Sequence, residues 1–313
     1  MNRENRNDVV LSIVIPCYNS ELYIENCINS ILTQDYSNFE VLIIDDGSKD
    51  KTSAFVKRII DKNKNKSLRY YFQDNNGQSS ARNLGILHSK GNYIAFLDSD
   101  DYMTPNSLQV RMDMVKSKPS IDILHSDAFL NIDGNILKQT YKELYGAKIE
   151  TKIIKNLLKQ NFLINSTVIV KKEVLLEVGM YDPLIFSAED YDLWIRIALK
   201  NKKFDYVDTP TIVHTIRKSS LSKSMTLQVY LRNILKVYDK VLKNEDLRFG
   251  YKRILMSTIR KLNNMIEDEN VKEFLLTKNS KEINLFIIKQ ILKLKNIRSN
   301  LKHLIKNNMD PQN

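Results

Sequence analysis

The segment Tyr93-Ile-Ala-Phe-Leu-Asp-Ser-Asp-Asp101 combines the two features that decide the fold. Its first half is apolar, as in a buried strand, and its second half is a cluster of carboxylates. Asp98 and Asp100 are one residue apart, which directs both side chains to one side of the chain. Two carboxylates in one crevice repel each other unless a cation lies between them, and Mg²⁺ or Mn²⁺ prefers oxygen ligands. The segment therefore predicts a strand that ends at a metal site, with a turn or helix cap as the structural alternative.

Strands and helices alternate on both sides of this segment. The predicted strands lie at 10–15, 39–44 and 68–72, and the predicted helices at 20–34, 51–63 and 79–89. Thr104-Pro105 is expected to open a further helix, with proline in its first position. Alternation of this kind predicts an α/β protein with a parallel, mostly buried sheet and helices on both faces.

A second acidic pair, Asp45-Asp46, follows the strand predicted at 39–44. Ligands of such sheets bind beyond the carboxyl ends of the strands, so this pair and Asp98–Asp101 should converge on one crevice. The pair suits a ribose hydroxyl, a base N–H or a metal, and an Asx turn is the alternative. Because the chain has neither G-x-G-x-x-G after its first strand nor G-x-x-x-x-G-K-[ST], a nucleotide would be held by side chains and a metal.

The middle of the chain is less regular. It is predicted to hold a hairpin around Asp133-Gly134, a strand at 162–170 and helices at 171–179 and 189–200. The last helix opens with Glu189-Asp190, where carboxylates either favour a helix N-terminus or supply a base facing the crevice. Arg82, near the start of a short helix, suits a diphosphate or an exposed position.

The net charge of +11 is unevenly distributed. Residues 225–313 hold 18 Lys and Arg against 9 Asp and Glu, a net +9, whereas residues 1–224 hold 30 against 28, a net +2. This break predicts a catalytic domain at 1–224 and a basic helical region at 225–313. The basic region could meet nucleic acid, an anionic membrane surface, a charged substrate or only solvent, and its few aromatic residues argue against nucleic acid. An apolar stripe there favours self-association, with membrane-surface docking next; it consists of Ile287, Ile291, Leu294, Leu301 and Ile305.

Cysteine content and hydropathy predict the compartment. Cys17 and Cys27 cannot form a disulfide framework and fit buried thiols in a reducing compartment. No apolar run approaches the roughly 18 residues of a membrane helix, and the first eight residues lack the apolar core of a secretory signal. We expect a cytoplasmic protein without a transmembrane segment, with the inner face of the plasma membrane as a further location.

Five motifs in this order resemble the family 2 glycosyltransferases, which have the GT-A fold. They are LSIVIPCYN at 11–19, IIDDGS at 43–48, GQSSARNLG at 77–85, FLDSDD at 96–101 and EDYDLWIR at 189–196. The resemblance covers residues 10–220 and says little about the rest. It implies a Rossmann-like nucleotide-binding sheet with helices on both faces, followed here by the helical C-terminal region.

The resemblance also implies roles for individual residues. Tyr18 would stack on uracil, and the nucleotide sugar would be held further by Pro16, Asn19, Asp45, Asp46, Arg82, Asp98 and Ser99. Asp98 and Asp100 would bind Mn²⁺ or Mg²⁺ together with the diphosphate. Asp190 would be the general base. The acceptor would be bound by Glu189 and Trp194, and by His214 and Arg217 on a mobile loop after the acceptor helix.

These roles predict an inverting enzyme that moves one hexose or N-acetylhexosamine from a UDP-sugar to a hydroxyl. The acceptor would be a glycan, a lipid-linked glycan or a glycoprotein in bacterial surface polysaccharide or glycoconjugate assembly. No Q-x-x-R-W motif follows Asp190, which favours single transfers over polymerisation. Two alternatives stay open. The first is a nucleotidyltransferase, although residues 16–20 lack the Gly-rich loop that such an enzyme would have. The second is a phosphoacceptor domain, which would not explain the motif at residues 189–196.

Overall fold

The computed structural model describes residues 11–145, 153–216 and 227–267. A nine-stranded mixed sheet runs through this part of the chain, in the order β3-β2-β1-β4-β8-β6-β9-β5 with β7 paired to β6. The strands are β1 Leu11–Cys17, β2 Phe39–Asp46, β3 Leu68–Gln73, β4 Tyr93–Phe96, β5 Tyr102–Met103, β6 Ile123–Ile132, β7 Asn135–Thr140, β8 Ile169–Lys171 and β9 Phe204–Ile216. The helices are α1 Ile24–Leu32, α2 Thr52–Lys62, α3 Gln78–His88, α4 Ser107–Ser117, α5 Tyr141–Tyr145, α6 Ile153–Leu157, α7 Lys172–Glu177, α8 Glu189–Leu199, α9 Leu227–Leu242 and α10 Phe249–Glu267.

The first four predicted strands form the parallel half of the sheet, which confirms the α/β prediction. β1 pairs in parallel with β2 and β4, and β2 pairs in parallel with β3. Every residue of β1 is buried, because helices cover both faces of the sheet. Ile13 packs into a cluster with α1 residues such as Ile28, while Val14 packs into another with Ala81 and Ile86 of α3.

The second half of the sheet is mixed, unlike the parallel sheet that the alternation predicts. β8 is antiparallel to both β4 and β6, and β9 runs parallel to β6. The strand predicted at 162–170 is confirmed only at its end, since Ile169–Lys171 pairs in the sheet, and it is wrong before that, where Asn165–Thr167 forms a 3-10 turn. Phe162 and Leu163 are buried in the core without pairing in the sheet. The start of this apolar run is therefore apolar because it is buried, and it does not form a strand. β9 was not predicted from the sequence.

Two predicted turns have different outcomes. The hairpin at Asp133-Gly134 is confirmed, and both residues adopt the left-handed conformation with φ of 50° and 90°. The helix predicted to open at Thr104-Pro105 begins later, at Ser107. The backbone N–H of Thr104 donates to Thr211 of β9 at 3.0 Å, which keeps this residue at the sheet edge and delays the helix.

Helices α9 and α10 pack against the part of the fold that precedes them in the chain. Leu231, Val237 and Leu255 share a buried cluster with Trp194 of α8. The Tyr238 hydroxyl lies 2.7 Å from that of Tyr191. The division at residue 225 therefore remains a prediction, and the stripe from Ile287 to Ile305 lies outside the described residues.

Two further observations bear on the predicted compartment. No helix within 11–145, 153–216 and 227–267 combines the length and apolar character needed to cross a membrane. Cys17 and Cys27 are free and buried, as predicted.

Candidate active site

The acidic segment forms a turn at the carboxyl end of β4. The Leu97 N–H donates to Val14 of β1 at 3.1 Å, and the Asp101 N–H closes the turn on the Asp98 carbonyl at 2.9 Å. Asp98, Ser99 and Asp100 are half-buried, whereas Asp101 is only 1% exposed. The turn therefore leaves two carboxylates accessible at the sheet edge and buries the third.

The buried carboxylate of Asp101 anchors the end of β9. It accepts hydrogen bonds from Ser166 Oγ at 2.5 Å and from the Thr215 N–H at 2.8 Å, and His214 Nδ1 lies 3.0 Å away. Burial lowers the pKa of His214, but the Asp101 carboxylate outweighs this effect and raises the pKa to about 9. Ser166 also accepts from the Asp98 N–H at 3.1 Å, so one hydroxyl joins both ends of the turn.

This placement corrects the position predicted for His214. The residue lies within β9, opposite Leu130 of β6, and not on a loop. Its Nδ1 pairs with Asp101 while the side chain is 31% exposed, so its predicted contact with the acceptor stays a prediction. Arg217, predicted beside it, lies outside the described residues.

The loop after β1 presents an aromatic ring to solvent. Tyr18 is 45% exposed, in contrast to Pro16, which is buried within β1. Asn19 has a φ of 48° and connects this loop to the loop after β2. Its side-chain oxygen accepts from the Lys49 N–H, and its own N–H donates to the Ser48 hydroxyl. Of the predicted nucleotide contacts on this loop, Tyr18 and Asn19 are accessible and Pro16 is not.

Asp45 and Asp46 are buried and bonded within the protein. Asp45 accepts from the Ser48 N–H at 2.8 Å and from the Tyr70 hydroxyl at 2.7 Å. Asp45 is 0% exposed, which corrects its predicted contact with the nucleotide. Its carboxylate instead holds the turn after β2.

Asp46 organises the loop that leads into α3. Its oxygens accept from Gln73 Nε2 at 2.6 Å, from the Asn76 N–H at 2.9 Å and from the Gly77 N–H at 2.9 Å. Gly77, with a φ of 89°, has a backbone conformation that favours glycine. The same carboxylate is 4% exposed, so the structure gives it a loop-holding function, and the predicted base contact stays a prediction.

Arg82 joins the acidic turn to α8. Its Nη2 donates to Asp98 Oδ1 at 2.7 Å and its Nη1 donates to Glu189 Oε1 at 2.8 Å. The side chain is only 2% exposed. Both ends of the guanidinium are paired within the protein, and the predicted contact of Arg82 with the diphosphate stays a prediction.

Glu189 and Asp190 open α8, and Arg82 links Glu189 to Asp98 of the acidic turn. Asp190 is half-buried, and its carboxylate accepts from the Tyr191 N–H at 2.6 Å and from Asn161 Nδ2 at 3.2 Å. Burial, together with the neighbouring Glu189 carboxylate, raises the pKa of Asp190 to about 7, against the opposing effect of Arg82. A carboxylate in this range can accept a proton near neutral pH.

The rest of the α8 motif is structural. Arg196 donates to Asp192 at 2.7 Å and to the Met180 carbonyl at 2.6 Å, which ties the helix to the preceding loop. Trp194 is 0% exposed and packs in the core. Its predicted contact with the acceptor is therefore corrected.

Several site residues escaped the sequence analysis. Asn161 lies just before the strand predicted at 162–170 and Ser166 lies within it. The ring of Tyr181 packs against the Arg82 guanidinium. With its amide oriented to satisfy both neighbours, Gln78 donates to Glu189 Oε1 at 3.1 Å and accepts from Arg82 Nη2 at 2.6 Å. Gln78 belongs to the motif at 77–85, which was the one sequence signal for it.

Asp98 and Asp100 fit a divalent cation that is shared with a diphosphate. The described residues contain no group of three or more His, Cys, Asp or Glu side chains placed to hold a metal by themselves. Mg²⁺ and similar ions commonly take one or two carboxylates and complete their shell with phosphate oxygens and water. Two half-buried carboxylates on one turn meet this requirement, and Arg82 occupies only Oδ1 of Asp98.

Comparisons with known proteins agree with this geometry. An uncharacterised glycosyltransferase of Rickettsia conorii is 32% identical over 201 residues, which span 64% of this chain and 32% of the relative. Staphylococcus aureus TarS 1–349 with UDP-GlcNAc superposes with a TM-score of 0.64 at 23% identity, covering 87% of this chain and 77% of that one. A Pyrobaculum calidifontis mannosyltransferase solved with GDP-Man and Mn²⁺ superposes with a TM-score of 0.59 at 15% identity, covering 91% of this chain and 80% of that one. At these identities the two structures establish the fold.

The mixed α/β sheet, with its acidic turn at a strand end, has the GT-A-like fold of these structural neighbours. The profile of the family Glycosyl transferase family 2 matches residues 12–175. The chain belongs to this family. It spans about a third of the length of the Rickettsia relative that it matches.

Proposed function

We propose that this protein transfers a single hexose or N-acetylhexosamine from a UDP-sugar to an acceptor hydroxyl, with inversion at the anomeric carbon. One observation carries the proposal: the half-buried Asp190, with its raised pKa, stands beside Glu189, and Arg82 ties Glu189 to Asp98 of the acidic turn. This arrangement supports a donor site and a base on one crevice. TarS, which was solved with UDP-GlcNAc, supports the choice of a uridine nucleotide.

The donor would lie between the exposed ring of Tyr18 and the acidic turn. Tyr18 offers a stacking surface for the base, and Asp98 and Asp100 would hold Mn²⁺ or Mg²⁺ against the diphosphate. When bound, this ion supplies positive charge that neutralises the departing diphosphate. The mannosyltransferase solved with Mn²⁺ supports this use of a metal.

Asp190 would take the proton of the acceptor hydroxyl as that oxygen attacks the anomeric carbon. The new carbon–oxygen bond forms as the bond to the diphosphate breaks, and UDP leaves with the electron pair. Such a base contributes roughly 10²- to 10⁴-fold in rate. Retention would need a second carboxylate on the opposite face of the sugar, and no candidate residue is assigned to that role.

The acceptor belongs to the same proposal. We infer a hydroxyl of a glycan, of a lipid-linked glycan or of a glycoprotein in bacterial surface polysaccharide or glycoconjugate assembly. The reaction would take place in the cytoplasm, at the inner face of the plasma membrane where the acceptor is lipid-linked. Self-association or membrane contact through residues 225–313 remains part of the proposal.

Donor hydrolysis tests the function without a known acceptor, because water can replace the acceptor hydroxyl. The purified chain is incubated with Mn²⁺ and, separately, UDP-glucose, UDP-galactose, UDP-GlcNAc and UDP-GalNAc, and UDP release is measured. We expect one donor to be hydrolysed, with loss of the signal on chelation and in Asp190→Asn. Turnover of GDP-sugars alone would contradict the uridine assignment, and turnover of no nucleotide sugar would contradict the function.

A further inference from the structure

The Arg82 guanidinium is a buried bridge between two parts of the site that are distant in sequence. Asp98 lies 16 residues and Glu189 lies 107 residues from Arg82 along the chain. The guanidinium pairs with both at 2.7 and 2.8 Å, and its own exposure is 2%. A planar, rigid fork that binds two carboxylates fixes their separation, which a flexible ammonium group cannot do.

The bridge is held in place from behind by Tyr181. The ring centroid of Tyr181 lies 5.2 Å from the Arg82 guanidinium carbon, and the Tyr181 hydroxyl donates to Asn165 at 2.8 Å. Asn83, the next residue in α3, accepts from the Tyr181 N–H at 2.9 Å and donates to its carbonyl at 2.8 Å. Arg82 therefore packs against the Tyr181 ring and forms ion pairs with Asp98 and Glu189.

The bridge also sets the charge beside Asp190. Glu189 pairs with Arg82, so a cation compensates the carboxylate that adjoins Asp190 in sequence. Without that cation, Glu189 and Asp190 would be neighbouring carboxyl groups in a partly buried place and would compete for a proton.

We propose that Arg82 is a positioning residue for sugar transfer: by holding Asp98 and Glu189 at a fixed separation, it sets Asp190 at reacting distance from the donor, and it does not bind the donor itself. This inference rests on the proposed function. It differs from the role implied by the family resemblance, in which Arg82 would touch the nucleotide.

The test compares Arg82→Lys and Arg82→Gln with Arg69→Gln. Arg69 is the matched control, since it also pairs with a buried carboxylate, Glu40, at 2.5 Å, and is not part of the site. Each protein is measured for kcat and KM of UDP-sugar hydrolysis in Mn²⁺, for UDP affinity and for melting temperature. The donor is the one that the wild type hydrolyses fastest.

We expect both Arg82 variants to lose about 10² in kcat, as misplaced catalytic groups do, while the Kd for UDP changes less than about threefold. Arg69→Gln should melt at a lower temperature with kcat close to that of the wild type. Weaker UDP binding with kcat retained in the Arg82 variants would overturn the inference and make Arg82 a donor ligand. A kcat near the wild-type value, with only a lower melting temperature, would overturn it in favour of a structural role.

A double variant adds a readout that a merely structural arginine would not move. If Arg82 acts through Glu189, the losses in kcat of Arg82→Gln and Glu189→Gln should not multiply in Arg82→Gln/Glu189→Gln. Multiplying losses would contradict the bridge. Should Arg82→Gln not fold, Arg82→Lys keeps the charge and decides the question. Wild-type turnover is a separate result: if the wild type hydrolyses no donor, the proposed function fails and this inference fails with it, whereas an active wild type isolates the role of Arg82.

Discussion

The Asp101 carboxylate accepts a hydrogen bond from the Thr215 backbone N–H at 2.8 Å, so the acidic turn after β4 is tied to the end of β9. Asp101 is the most buried of the three carboxylates Asp98, Asp100 and Asp101, and its hydrogen bonds hold the turn in place. The three aspartates cannot be told apart in the sequence. In the structure Asp101 is 1% exposed, whereas Asp98 and Asp100 are half-buried.

Asp101→Ala should lower the free energy of unfolding by at least about 2 kcal/mol, because it leaves the hydroxyl of Ser166 and the N–H of Thr215 without their charged acceptor. Asp100→Asn, on the same turn, should unfold at nearly the wild-type temperature and lose Mn²⁺-dependent UDP release. Denaturant unfolding and UDP release measured on both variants check the contrast. Equal losses of stability would contradict the division of roles.

Asp190→Asn should be more stable than the wild type at pH 8. Burial and Glu189 raise the pKa of Asp190 to about 7, above its ordinary value near 3.8. The stability that the protonated carboxyl contributes is present below about pH 4 and is lost as the pH rises through about 7. An amide avoids this loss. Melting temperatures at pH 5 and pH 8 provide the check, and a lower melting temperature of the variant at pH 8 would mean that Asp190 serves mainly as a favourable charge at the helix N-terminus.

The same pKa predicts the pH dependence of donor hydrolysis. The base acts when deprotonated, so kcat should rise with pH to a half-maximum near 7. Asp190→Asn should lose about 10² in kcat and show no such rise, while Glu189→Gln should lose less. UDP affinity measured at each pH separates chemistry from binding. An unchanged pH profile in Asp190→Asn would assign the base elsewhere.

Gly85→Ala should destabilise the protein by about 1 to 3 kcal/mol, because the new Cβ would lie 2.3 Å from Val14 Cγ1. Since α3 carries Arg82, a shift of this helix should lower kcat as well. Gly250→Ala in α10 is the matched control: no atom lies within 4 Å of its added Cβ, and alanine favours a helix by about 1 kcal/mol. Thermal unfolding and UDP release report both effects, and a Gly85→Ala protein as stable as the wild type would contradict the close packing of α3 on β1.

Tyr18→Ala should weaken UDP binding about tenfold, since stacking of a base on an aromatic ring contributes roughly 1 to 3 kcal/mol. The ring is 45% exposed, so the melting temperature should change little. Tyr18→Phe keeps the stacking surface and is the control. Calorimetric titration with UDP measures the difference, and wild-type affinity in Tyr18→Ala would remove the ring from the donor site.

The sequence was most informative where burial is two-sided. β1 and β2 are apolar almost throughout because helices cover both faces, so both strands and the acidic pair at the end of β2 could be predicted. The run at 162–170 is also rich in apolar residues, but Phe162 and Leu163 fill the core without pairing in the sheet, and periodicity cannot separate these cases.

The partners of site residues were less predictable than the residues themselves. Arg82 and Glu189 were both selected from their motifs, yet their ion pair joins positions 107 residues apart, which no local pattern encodes. Trp194 packs in the core and Asp45 holds a turn, although both belong to the motifs quoted from the sequence. A motif does not distinguish such structural roles from contact with a ligand.

The anchoring of the acidic turn has a consequence for folding. During synthesis β4 and its carboxylates emerge early, but the partners of Asp101 in β9 lie 113 and 114 residues further along the chain. Contacts of such long sequence separation form slowly, because a large loop must close first. The crevice is therefore completed late, after the parallel half of the sheet can already exist, and a nascent chain that ends before β9 would carry a sheet whose acidic turn still lacks its anchor.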